Sequence, residues 1–146
     1  MMSDRWSDLV RALEPAATFG EAAAPDRLSD ASQALGAPLP EQLVSLLSET
    51  DGIRGAFGLG LVWNLELIVA TNNEFRRSEA FAELYMPFEP LLFIGDAGNG
   101  DQFALLCPPV ERDDVFVWNH EDDSRTWVAP DLRHYLEWWL TGRIQL

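Results

Sequence analysis

The sequence contains no lysine: all ten of its basic residues are arginine, set against 24 aspartates and glutamates. That absence removes the phosphate-binding lysine of a P-loop, the Schiff-base lysine of a pyridoxal enzyme and the ATP-positioning lysine of a kinase. Phosphate backbones are bound through excess positive charge, and here the net charge is −14, so nucleic acid is not an expected ligand. Cysteine is equally scarce. Cys107 stands alone, which excludes an internal disulfide and suits a reducing compartment. No apolar stretch approaches the ~18 residues of a membrane span. The opening MMSDRWSDLV lacks the apolar run of a signal peptide. The expectation is a cytoplasmic protein that does not engage a membrane.

What is present is a core. Across 146 residues, 47% are apolar, with six tryptophans and eight phenylalanines. A chain of this length suits one domain, which buries about 70% of the surface its unfolded form exposes. No internal repeat or low-complexity tract interrupts it.

Residues 1–25 form an N-terminal helix and linker, with Trp6, Leu9, Val10 and Leu13 at helical spacing and an Ala-rich stretch from Pro15 to Pro25. The main domain is expected over residues 26–146. Leu28, Ala31 and Leu35 line a short helix that Gly36 ends. Pro40 and Glu41 open a second helix, with Leu43, Val44, Leu46 and Leu47 as its apolar stripe. Leu61 to Trp63 suits a short strand, and Asn64 caps another helix bearing Leu65, Ile68, Val69 and Phe75.

Ser78 to Pro90 is compatible with helix or ordered loop. Four strands then follow, over Leu91–Gly95, Gln102–Cys107, Val115–Asn119 and Arg125–Ala129. Most are continuously apolar, so helices should cover much of the sheet. Their short turn-rich links favour antiparallel neighbours. A last helix runs from about Pro130 to Thr141. The fold class is α+β: a single domain with a mixed, largely antiparallel sheet flanked by helices, the C-terminal helix packed on the sheet.

The segment FIGDAGNGDQFAL, Phe93 to Leu105, holds the densest turn. A calcium loop needs oxygen side chains at its third and fifth positions, where Gly98 and Gly100 stand, and no glutamate closes it. Gly95, Asp96, Gly98, Gly100 and Asp101 are therefore read as a structural turn, its aspartates bonding backbone N–H groups and its glycines supplying positive φ. His120 and His134 have no partner at helical zinc spacing. Cys107 has no Arg or His neighbour in sequence to lower its pKa, and reads as a small buried apolar residue. No serine sits in a nucleophile elbow. No catalytic, cofactor-binding or metal-binding residue is nominated.

One cluster remains. Glu111, Asp113, Asp114, Glu121, Asp122 and Asp123 flank the two ends of the strand Val115–Asn119. They are either solvated loop ends or an acidic rim offered to arginines and lysines of a partner. Trp118 or Trp127 would add apolar contact if exposed.

The order of segments has a precedent. G-x-P-L-P precedes a helix ending in D-G, followed by I-G-D-x-G-N-G-D, then V-F-V-W-N-H-E, then W-V-A and a helix ending E-W-W-L. From about Asp26 to Leu140 this resembles the SUKH superfamily, the group named for the fungal Smi/Knr cell-wall regulators. The resemblance implies one α+β domain and, among bacterial members, an immunity protein that binds a cognate toxin stoichiometrically in the cytoplasm. A nuclease toxin must be electropositive where it holds nucleic acid, which matches an acidic inhibitor. The alternatives are a regulatory or scaffolding domain binding an endogenous protein, and a hydrolase using paired carboxylates.

Overall fold

The computed structural model describes residues 5–108, 110 and 112–146. Its helices are α1 (Trp6–Leu13), α2 (Pro25–Leu35), α3 (Glu41–Glu49), α4 (Leu65–Arg77), α5 (Glu79–Leu84) and α6 (Leu132–Leu140). Side chains set several of their ends. Asn64, Ser78 and Asp131 each accept from the N–H three residues on (Leu67, Phe81 and His134), which starts α4, α5 and α6. Gly36, left-handed at φ 74°, ends α2 as its position predicts.

The strands are β1 (Thr18–Phe19), β2 (Ile53–Arg54), β3 (Gly60–Val62), β4 (Leu91–Asp96), β5 (Gln102–Leu106), β6 (Val115–Trp118) and β7 (Arg125–Ala129). They form a three-stranded sheet ordered β1-β2-β3 and a four-stranded sheet ordered β4-β5-β6-β7, with every ladder antiparallel. The two sheets meet along β3 and β4, where the Trp63 N–H donates to the Ile94 carbonyl at 2.7 Å. A β-carbon on Gly95 would lie 2.3 Å from the Leu61 carbonyl oxygen. That glycine is required for closeness of approach, and a register shift between Phe93 and Gly95 accompanies it.

The continuously apolar β4 and β5 are buried almost throughout, as two-sided burial demands. α6 covers β5: the Phe103 ring lies 4.7 Å from Tyr135 and 5.1 Å from Trp139. The Tyr135 hydroxyl donates to the Leu61 carbonyl at 2.7 Å, and burial pushes its pKa well above the usual phenol range. α4 covers β4 through buried Asn72, whose amide accepts from the Phe93 N–H and donates to the Phe93 carbonyl. The side chain takes the place of a neighbouring strand.

Two segments are more ordered than their sequences suggest. α1 is docked through buried Trp6 and Val10, and Glu49 of α3 accepts from the Trp6 and Ser7 N–H groups at its first turn. The stretch Ser78 to Pro90 contains α5, fixed by an aromatic cluster of Phe75, Phe81, Tyr85, Phe88, Phe93 and Trp118 with adjoining ring centroids 5.1–6.1 Å apart.

Candidate functional site

The acidic residues flanking β6 divide into two groups by position and again by role. Asp113 and Asp114 lie before β6, while Glu121, Asp122 and Asp123 lie in the turn between β6 and β7 at its other end. The hairpin therefore separates them and does not gather them into one rim. Glu111 lies outside the described residues.

Two of the carboxylates, Asp123 and Asp114, are held by donors within the chain. Asp123 Oδ1 accepts from the Trp118 indole at 2.7 Å and from Arg125 at 3.2 Å, and Oδ2 accepts from the Met86 N–H at 2.8 Å. Burial pushes its pKa up, but these donors outweigh that and hold the carboxyl below the usual range. Asp114 accepts from the Trp127 indole at 2.9 Å and pairs with Arg112 at 2.6 Å, and is likewise held low, chiefly by the indole. Asp113, Glu121 and Asp122 stay exposed. Asp122 accepts from the Ser124 N–H at 2.9 Å, which lowers its pKa.

The Gly95–Asp101 segment is a built corner. Gly98 and Gly100 adopt φ 92° and 97°, the positive values their positions suggest. Asp96 accepts from the Trp63 indole at 2.8 Å. Buried Asp101 accepts from the His120 N–H at 3.2 Å, and the same oxygen lies 2.7 Å from His120 Nδ1. The β4–β5 corner is thus tied to the β6–β7 turn. An Asp–His pair of this kind orients a general base in hydrolases. Among the described residues no serine, threonine or cysteine side chain is bonded to His120; the contacts present tie the two turns together.

Other candidates resolve similarly. His134 bonds Asp131 at 2.8 Å on the exposed start of α6. Cys107 is buried, and burial pushes its thiol up despite Arg76, whose Nη2 lies 3.3 Å from Sγ. Among the described residues no three His, Cys, Asp or Glu side chains converge as a metal-ion site, and no helix is long and apolar enough to cross a membrane. Of the two tryptophans weighed for partner contact, Trp118 is 3% exposed and Trp127 is 47% exposed. Trp127 lines a shallow groove with Trp138, over which the Arg143 guanidinium stacks at 4.1 Å.

Phe57 escaped the sequence reading. It sits in a 3₁₀ turn, Ala56–Gly58, between β2 and β3, with φ 60° and ψ 22° and full exposure. A bulky residue in the left-handed region costs about 1–2 kcal/mol. The only cue in the sequence is an aromatic residue set between Gly55 and Gly58. The turn is nonetheless closed, the Gly55 N–H donating to the Leu59 carbonyl at 2.8 Å and the Gly58 N–H to the Gly55 carbonyl at 3.2 Å.

The family model described as "SMI1 / KNR4 family (SUKH-1)" matches residues 22–138, most of the chain. No curated protein matches it.

Proposed function

The chain belongs to the SMI1/KNR4 (SUKH-1) family, and we propose on that footing that it neutralises a cognate toxin domain by stoichiometric protein–protein binding. The family is one of immunity-type proteins, generally non-catalytic, that bind a protein partner. The observation that carries the reading is the family match over residues 22–138. Two features support its finer part. The net charge of −14 favours a cationic partner over an acidic one. Asp113, Glu121 and Asp122 remain free of burial and available to arginines and lysines.

A nuclease domain fits this description, since the surface that holds nucleic acid must be electropositive. Inhibition would follow from occupying that surface, with no bond made or broken by the inhibitor. The test is co-expression with the C-terminal domain of a large secreted protein encoded beside this gene. The expected result is growth arrest by that domain alone, rescue when this chain is present, and a one-to-one complex on size-exclusion chromatography. Arrest unrelieved by the chain would refute the proposal and favour docking on an endogenous protein instead.

A further inference from the structure

Three turns share one end of the molecule. β4 and β6 run toward it and β5 and β7 run away, so the β4–β5 corner and the β6–β7 turn lie side by side, tied through Asp101 and His120. The β2–β3 turn joins them. Gly60, at the start of β3, lies against Asp96, and a β-carbon on Gly98 would lie 3.6 Å from Leu59. A β-carbon on Gly100 would in turn lie 2.8 Å from the His120 ring. Phe57, the glycine corner and Glu121–Asp122 therefore form one continuous edge.

Two apolar side chains stand out of this edge on either side of its acidic middle. Phe57 is fully exposed on one flank. Met86 is 58% exposed on the other, its N–H held by Asp123 and its carbonyl by Arg125. Both are mounted on hydrogen-bonded backbone, so little backbone entropy is lost when they are covered. Beside Phe57 lies a recess of about 510 Å3 lined by Gly58, Gly60, Trp63, Asp51 and Asp96, with Arg54 also on its wall. Its carboxylates are already engaged, Asp51 by Arg27 at 3.1 Å and Asp96 by the Trp63 indole at 2.8 Å, so the exposed negative charge of the edge is that of Glu121 and Asp122.

We infer that this three-turn edge docks the cationic partner, with Phe57 and Met86 inserting as apolar anchors and Glu121 with Asp122 steering the approach. The inference rests on the toxin-binding reading and adds which face is used and what the partner offers: apolar recesses bordered by arginine or lysine. Aromatic anchors that become fully desolvated carry most of an interface's energy, while exposed charges govern the rate of association. Asp113 and Asp114, at the far end of the hairpin, lie off this surface.

The experiment measures binding kinetics of the purified neighbouring toxin domain, carrying an inactivating substitution, to the full chain and four variants. Phe57→Asn keeps a residue that tolerates the left-handed conformation, so its Tm should equal or exceed that of the wild type. Its affinity should nonetheless fall about tenfold or more through faster dissociation. Met86→Ala should dissociate faster with unchanged Tm. Glu121→Arg should slow association at low salt and leave dissociation nearly unaltered. Val110→Ala, exposed in the β5–β6 connection at the opposite end, should bind as the wild type does. Wild-type affinity in Phe57→Asn and Met86→Ala would overturn the docking edge and leave toxin binding intact. Failure of the wild type itself to bind would remove the reading beneath it.

Discussion

The carboxylate of Asp123 accepts from three donors on different parts of the chain: the Trp118 indole, the Met86 N–H and the Arg125 guanidinium. Asp123 also holds φ 60°, which Asp tolerates better than most residues because its short side chain bonds nearby backbone. Removing it leaves an indole N–H and a backbone N–H unpaired. Asp123→Ala should cost about 2–3 kcal/mol in urea unfolding, well beyond an ordinary surface aspartate. The acid side follows from the direction of the shift. The folded pKa is depressed, so the stabilisation is fully present above the unfolded value, about 3.9. It is lost as pH falls through the folded value. Asp123→Asn should therefore flatten the acid limb of a stability–pH curve. Charge at this position was visible in the sequence, but its direction was not, because inward rotation depends on Trp118 and Met86 arriving from elsewhere.

At the scale of elements, Asn72 couples helix to sheet. Its amide bonds both polar groups of Phe93 and the Ile68 carbonyl within a buried setting. Asn72→Ala would strand the Phe93 N–H and carbonyl and should cost about 2–4 kcal/mol. Chemical denaturation with hydrogen exchange at Phe93 would check both the magnitude and the place. Strands with continuous apolar runs were legible: β4 to β7 fall within a residue of their expected limits, and Gly36 ends α2 and Asn64 caps α4 as expected. β1 and β2 were not, since two residues carry no periodicity and their pairing is imposed by contacts distant in sequence. α5 is only six residues long and is held by the aromatic cluster more than by propensity. The Gly95–Asp101 corner was readable because positive φ and backbone bonding select Gly and Asp locally. Phe57 was not, because exposure of an aromatic ring depends on the turn beneath it.

For the whole molecule, charge sets kinetics more than fold. With 24 acidic residues against ten basic ones, the field reaches beyond any single contact, over a screening length of about 10 Å at 0.1 M salt. Association with a cationic partner should slow steeply as salt rises, while dissociation changes little. Stopped-flow measurements across a salt series would show this, and a flat association rate would contradict electrostatic steering.

The tied turns carry a further consequence. Their shape comes from groups directed inward, Asp101 on His120 and Asp123 on Trp118, and from Gly98 and Gly100, which lie outside the ladders. Phe57 and Glu121 project from that frame into solvent. Identity at the tips is thereby uncoupled from architecture underneath, so a few outward letters can be rewritten while the folding problem stays solved.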